Sequence, residues 1–250
     1  MIRVSVTILT FNSARHLEKV LAALRCFDDV VVLDSGSRDE TLNIARKFTN
    51  VRIFETAFMG FGPMHNKASA LALHDWIFSV DSDEVVSPEL AAEIQSLAAD
   101  DGAVYSVSLK NYFNGKWIRH CGWYPDRHVR LFNRKRTTFS NARVHEKIVT
   151  EGMREIPLQG PILHYSFSSS GDFLIKIQRY SDLFVEENRG VKTSSLTKAV
   201  SRSVWSFFKH YFFQLGFLSG REGFIISAAN SQGVYYKYVK LMEANQHLRK

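Results

Sequence analysis

Three carboxylates follow one apolar run in this 250-residue chain: Phe78-Ser79-Val80 leads into Asp81-Ser82-Asp83-Glu84. In an extended backbone, residues i and i+2 project to the same side. The spacing therefore predicts that Asp81 and Asp83 converge on one ligand. Paired carboxylates suit a hard divalent cation, Mg²⁺ or Mn²⁺, which also takes phosphate oxygens. Such a Lewis acid absorbs the charge that develops on a diphosphate leaving group. Without a ligand, the same residues make a solvated acidic turn.

The elements that must position this cluster alternate. Residues 2–9 are rich in Val and Ile and read as a buried strand. Ser13 can cap a helix whose apolar face is Leu17, Val20, Leu21 and Leu24. A second strand spans 29–33 and ends at Asp34, and Ser37-x-x-Glu40 reads as a capping box for a helix over 38–48. A third strand spans 51–54. Pro63 suits the first turn of the next helix, and a fourth strand spans 75–80. Ser87-Pro88 then opens another helix. The order β-α-β-α-β-α-β predicts an α/β fold with a mostly parallel sheet and ligands at the carboxyl ends of its strands. The polar residues do gather there, as Thr10 and Asn12, Asp34 and Ser35, Asp81 and Asp83. Aspartyl-phosphate phosphatases also place Asp-x-Asp after a strand, with the first Asp as nucleophile. Their motif follows a first strand, whereas this one follows a fourth. Further strands are expected around 103–109 and 128–132, and helices from about 171.

Charge is distributed unevenly. Residues 1–191 carry 23 Lys and Arg against 23 Asp and Glu, whereas residues 192–250 carry 9 against 2, which accounts for the whole net charge of +7. The same last quarter holds 11 of the 32 aromatic residues. A basic, aromatic tail predicts contact with an anionic membrane surface or another polyanion. Nucleic-acid binding would spread cations over a recognition face, and the neutral body argues against it. Val204, Phe207, Phe208, Tyr211, Phe212 and Leu215 recur at helical spacing, with Trp205, Phe213 and Phe217 largely off that stripe. This helical segment meets a membrane, a second subunit or the core of its own helical layer. Cys26 and Cys121 fit no zinc or redox spacing, which predicts a reducing, cytoplasmic setting. Neither a secretory leader nor a spanning helix is expected.

Val4-Ser5-Val6-Thr7-Ile8-Leu9-Thr10-Phe11-Asn12, Val31-Val32-Leu33-Asp34-Ser35-Gly36-Ser37-Arg38-Asp39 and Asp81-Ser82-Asp83-Glu84 together resemble the family 2 glycosyltransferases. Gly60-Phe61-Gly62-Pro63, Gly122-Trp123-Tyr124-Pro125, Arg130-Leu131-Phe132, Val144-His145-Glu146 and His164-Tyr165-Ser166 extend the resemblance to the lipopolysaccharide inner-core β-1,4-glucosyltransferases. The resemblance implies a GT-A fold over residues 1–170 with a helical extension over 171–250. It implies an inverting transfer of a hexose, glucose in the nearest likeness, from a UDP-sugar to a heptose of a lipid A-linked core. The enzyme would sit peripherally on the inner face of the cytoplasmic membrane. The alternatives are another UDP-sugar transferase acting on a lipid-linked or cell-surface glycan, and a nucleotidyltransferase. The latter would need a Gly-rich basic loop where Thr10-Phe11-Asn12-Ser13 stands.

By the same resemblance, Thr10, Asn12 and Asp34 face the nucleotide base. Asn66 lies in the segment that faces the diphosphate. The family's Arg-Asn pair reads His65-Asn66 here, so Lys67 is the candidate for the missing charge. Asp81 contacts the ribose or a metal-bound water, and Asp83 and His164 complete the Mg²⁺ or Mn²⁺ site. Glu146 stands where the family carries its catalytic base, with Asp126 as the alternative. Trp123 and Tyr124 are expected to form a wall for a sugar face. Arg130 belongs to a basic stretch with Arg127, Arg134, Lys135, Arg136 and Arg143 that suits acceptor phosphates.

Overall fold

A computed structural model describes residues 2–142 and 146–248. Arg143 of the basic stretch and Val144-His145 of the Glu146 motif lie outside the described residues. The chain divides into two compact units, Met1–Lys110 with Asp126–His164, and Asn111–Pro125 with Tyr165–Lys250.

In the first unit, β1 (Val4–Thr10), β2 (Asp29–Asp34), β3 (Val51–Glu55) and β4 (Trp76–Asp81) run parallel in the order β3-β2-β1-β4. Val30 and Val32 join one hydrophobic cluster while Val31 and Leu33 join another. This is why β2 is a continuous apolar run instead of an alternating one: a parallel sheet covered on both faces has no polar side. Helix α1 (Ala14–Ala23) packs Leu17, Val20 and Leu21 into the first cluster, and α3 (Phe61–Leu71) packs Met64 and Ala68 into the second. Each such fully buried Leu, Val or Met contributes on the order of 1.5–3 kcal/mol.

Helix α2 (Thr41–Ala45) starts later than the expected 38–48 and is short. The Ser37–Glu40 box does not form, because the Ser37 hydroxyl and N–H both donate to Asp34. Asp39 takes over instead, accepting the Thr41 N–H at 3.1 Å. The Ser87 cap is present on α4 (Pro88–Ser96), where its hydroxyl accepts from the Leu90 N–H at 3.2 Å.

Beyond β4 the sheet turns mixed. β5 (Glu84–Val86) follows at once, and then come β6 (Ala103–Phe113), β7 (Lys116–Trp117), β8 (Arg127–Asn133), β9 (Arg154–Pro157) and β10 (Ile162–Phe167). β8 lies antiparallel between β4 and β6, and β10 pairs antiparallel with β5. The fold is α/β of the GT-A kind, Rossmann-like in its first half, with a helical C-terminal portion. Sequence periodicity misses the short strands β5, β7, β9 and β10, which are too brief for alternation to show.

The second unit is built on α5 (Ser170–Asn188), α6 (Leu196–Phe208) and α7 (Gly220–His247), with a π turn over 209–213 and a 3₁₀ turn over 216–219 between the last two. Its core joins Phe113, Ile118, Cys121, Phe173, Ile226 and Ala229. Among the described residues, no helix is long and apolar enough to cross a membrane.

Candidate functional site

Asp81 closes β4 and Glu84 opens β5, so the acidic run does not stay extended. Ser82 and Asp83 form a turn between the two strands. The expected i, i+2 convergence is thereby replaced by a different pairing. Asp81 and Glu84, not Asp81 and Asp83, share one partner. Arg130, from β8, places Nη2 2.9 Å from Asp81 Oδ2 and also donates to Glu84 Oε1. The Asp81 N–H donates to Glu84 Oε2 at 3.0 Å, which closes the turn. Ser82 Oγ donates to Ser13 Oγ at 2.9 Å and ties the turn to the start of α1.

Asp83 is left facing His164. The pairing of β10 with β5 puts His164 opposite Glu84, and its Nε2 lies 3.6 Å from Asp83 Oδ1. Burial favours neutral imidazole, but the hydrogen bond His164 donates to Asp83 and the charges of Glu84, Asp83 and Asp81 outweigh it and raise the His164 pKa. Burial likewise pushes Asp81 up, and the Arg130 guanidinium with help from the two histidines more than reverses this, down to about 2. Glu84 is wholly buried, and burial together with the Asp81 charge raises it to about 7 despite Arg130. One guanidinium between two carboxylates thus leaves the second easier to protonate.

His65, on the buried face of α3, reaches the same group. Its Nδ1 lies 3.4 Å from Ser79 Oγ on β4 and its Nε2 lies 3.8 Å from Glu146 Oε1. Burial, reinforced by Arg130 and only partly opposed by Asp81, drops its pKa to about 4, so it is neutral near pH 7. Its ring stacks on Phe139 with centroids 4.3 Å apart. The loop that carries Glu146 is fastened to α3 at further points. The Asn66 amide donates to the Phe139 carbonyl and accepts the Phe139 N–H, each at 2.9 Å. The Gly62 N–H donates to the Ala142 carbonyl at 3.1 Å. A Cβ at Gly62 would stand 2.0 Å from the Ser140 carbonyl oxygen, so this approach requires glycine. Asn66, expected at the diphosphate, has its amide engaged by this loop. Lys67 extends instead to Thr56 Oγ1 at 2.6 Å.

At the ends of β1 and β2 the polar residues form a separate, self-contained network. Asp34 accepts from Thr10 Oγ1 at 2.7 Å, Ser37 Oγ at 2.6 Å, Ser37 N at 2.7 Å and Gly36 N at 2.9 Å. Burial raises its pKa, but these bonds more than compensate and hold it below the ordinary range. Asn12 takes a positive φ of 50°, accepts the Arg38 N–H on Oδ1 at 2.9 Å and donates its own N–H to Ser37 Oγ at 2.8 Å.

Asp126, the alternative base, lies 2.8 Å from His128 Nε2 at the start of β8. Antiparallel pairing brings that end of β8 towards the carboxyl end of β4. Trp123 and Tyr124 belong to the second unit. There Trp123 stacks on Phe167 at 5.3 Å within the core, whereas Tyr124 is exposed and packs edge-on to Trp117 at 5.5 Å.

The family model of glycosyl transferase family 2 matches residues 5–153, which include every strand-end residue described above except His164. The chain belongs to glycosyltransferase family 2. Similar relatives include an uncharacterized glycosyltransferase of Rickettsia felis, 26% identical over 98% of this chain and 91% of its own length. A lipopolysaccharide core biosynthesis glycosyltransferase, LpsC of Rhizobium meliloti, is 24% identical over 88% of this chain and 85% of its own. Among solved structures, S. aureus TarS 1–349 aligns over 98% of this chain and 91% of its own with a TM-score of 0.46 and 15% identity. Glucosyl-3-phosphoglycerate synthase of Mycobacterium tuberculosis, in complex with Mn²⁺, UDP and glucosyl-3-phosphoglycerate, aligns over 45% of this chain and 44% of its own with a TM-score of 0.34 and 21% identity.

In this glycosyltransferase, Asp83 and His164 are the residues that could hold a divalent cation. Among the described residues no three His, Cys, Asp or Glu side chains gather as a metal cage, and Asp81 is paired with Arg130. A closed cage is not required for Mg²⁺, which is commonly held by one or two carboxylates and completed by substrate phosphates. Sequence reasoning did not assign Glu84, His65 or the counter-ion role of Arg130. For His65 a signal existed: it precedes Ala68 by three residues and Ser69 by four, which puts it on the inward face of α3.

Proposed function

We propose that this glycosyltransferase transfers a hexose, glucose by its resemblance to the inner-core glucosyltransferases, from a UDP-sugar to a heptose of a lipopolysaccharide inner core. It would work with inversion at the anomeric carbon, on the cytoplasmic side of an anionic membrane surface. The observation that carries the reading is the group at the end of β4: Asp83 facing His164 at 3.6 Å, beside Asp81 and within reach of the His65–Glu146 contact. The similarity to LpsC, which is named for lipopolysaccharide core biosynthesis, supports the acceptor class.

Asp83 and His164 would hold Mg²⁺ or Mn²⁺, with Asp81 on the ribose or on a metal-bound water. The cation would supply charge neutralisation on the departing diphosphate. Glu146 takes the proton from the acceptor hydroxyl as that oxygen attacks the anomeric carbon. The bond from the anomeric carbon to the β-phosphate oxygen breaks, and UDP leaves with the electron pair. Neutral His65 fixes the direction of Glu146 without neutralising it, which a base requires. Thr10 and Asn12, through the Asp34 turn, shape the base-binding end. Trp123 and Tyr124 would contact the acceptor sugar.

Calorimetric titration with UDP, UDP-glucose, GDP and ATP, first with Mn²⁺ and then with EDTA, tests this. Metal-dependent binding confined to uridine nucleotides is expected. Binding of all four alike, or of none, overturns the donor assignment.

A further inference from the structure

The aromatic stripe of α6 faces the protein only in part: Phe207 and Tyr211 are half-buried against Phe224 of α7, and the rest of the stripe is exposed. Helix α6 buries Ala199 and Ser206 and half-buries Ser203, with His210 of the following turn, and this face of small and polar groups meets α7. Ser203 and Ser231 exchange hydrogen bonds there, with their hydroxyls 2.8 Å apart. The opposite side presents Val200, Val204, Phe208 and Phe212 at successive intervals of four, with Trp205 beside them. Trp205 is 59% exposed, Phe208 47%, Phe212 48% and Phe213 70%. Ring contacts extend the patch from Phe208 and Phe212 through Tyr211 to Phe217 and Phe224, which are also exposed. A contiguous apolar surface of this extent marks a contact site.

Charge selects the occupant. At 100° per residue, Lys198, Arg202 and Lys209 line one flank of the stripe, and Arg221 stands exposed one turn before Phe224. Only Glu222 and Glu243 are acidic in residues 192–250, and Glu222 is tied to Lys116 and Arg221 at 3.4 and 3.3 Å. A second copy docked across a two-fold axis would bring these cationic rims together. A planar anionic surface would neutralise them while the rings enter its apolar boundary. We propose that the outer face of α6, with the π turn and the start of α7, lies in the plane of an anionic lipid bilayer. This inference deepens the surface-bound reading above but is independent of the sugar donor.

The test is co-sedimentation of the full chain with phosphatidylcholine vesicles, with and without phosphatidylglycerol, in the absence of nucleotide. Binding to the anionic vesicles is expected, weakening by about fivefold for each of Lys198, Arg202 and Lys209 changed to Gln. Phe208→Glu with Phe212→Glu should reduce binding at least about tenfold. Trp205→Ser with Phe213→Ser provides a second, milder pair should the first fail to fold. Unchanged vesicle binding by either folded pair overturns the proposal, as does a wild-type chain that ignores anionic vesicles. A dimer that both pairs abolish, with no vesicle binding, overturns it in favour of self-association. Because no sugar is present, failure here leaves the donor titration above to be judged separately.

Discussion

Two strand ends in the same sheet carry an aspartate, and they treat it in opposite ways. At the end of β2, Asp34 is wholly buried and satisfied by residues of its own turn and of β1. The four bonds it accepts fill the lone-pair positions of a carboxylate. At the end of β4, by contrast, Asp81, Asp83 and Glu84 are met by side chains from β8 and β10, with His65 from α3 beside them. A carboxylate closed by its own backbone is fixed in place and has no capacity left for a ligand. A set held by a shared guanidinium and an imidazole can exchange those partners for a cation or a phosphate. The first end builds the platform, and the second is where charge can be redistributed during a reaction.

Substituting the exchangeable Asp83 at the β4 end should therefore act on turnover, and substituting Asp34 at the β2 end on stability. The largest effect is expected for Asp83→Ala, which removes the exchangeable carboxylate. Metal-dependent sugar transfer should fall by about 10³-fold or more while the thermal midpoint moves little, since the side chain is partly exposed in a turn. Full turnover in this variant would erase the distinction between the two ends. Glu146→Gln should follow, with a loss of about 10²–10⁴-fold in turnover and UDP-sugar affinity retained by calorimetry. Near-normal turnover would move the base to Asp126.

Arg130→Met sharpens the comparison from another side. It leaves Asp81 and Glu84 together without their shared cation. Breaking a buried ion pair by removing one partner costs roughly 3–5 kcal/mol, measurable as a lower urea midpoint at unchanged slope. A midpoint equal to that of the wild type would mean that Arg130 does not hold the turn.

The two ends were not equally legible in the sequence. The β2 end reads almost directly, since a buried strand followed by Asp34-Ser35-Gly36-Ser37 is turn chemistry on consecutive residues. Even so, the capping box was misplaced: Ser37 had two possible acceptors, and the buried carboxylate won over the helix end. The β4 end shows its acidic residues but not their partners. Arg130 and His164 are 49 and 83 positions beyond Asp81, and strands too short to show a period bring them in. The α6 stripe was visible as a stripe, but its direction was not. Aromatic residues at helical spacing predict a buried face, and here Ala199 and Ser206 form it instead. Small residues let α6 and α7 approach closely, and that leaves the rings outside.

The smallest expected effect is the one that isolates the β2 end. Asp34→Asn keeps the shape of the side chain but cannot accept all of the bonds from Thr10, Ser37 and Gly36. A loss of about 1–3 kcal/mol at neutral pH is expected, with UDP-sugar turnover at saturation nearly unchanged. The pH dependence supplies the control. The bonds to Asp34 depress its folded pKa below the value of about 3.9 expected when unfolded. Its contribution is therefore present in full above that value and is lost as the pH falls through the folded pKa. Wild type and Asp34→Asn should then differ in urea midpoint at pH 7 and converge on acidification below about pH 4. A difference that stays constant down to acid would mean that the ionised carboxylate is not what holds the turn, and Asp34 would return to the residues available to a ligand.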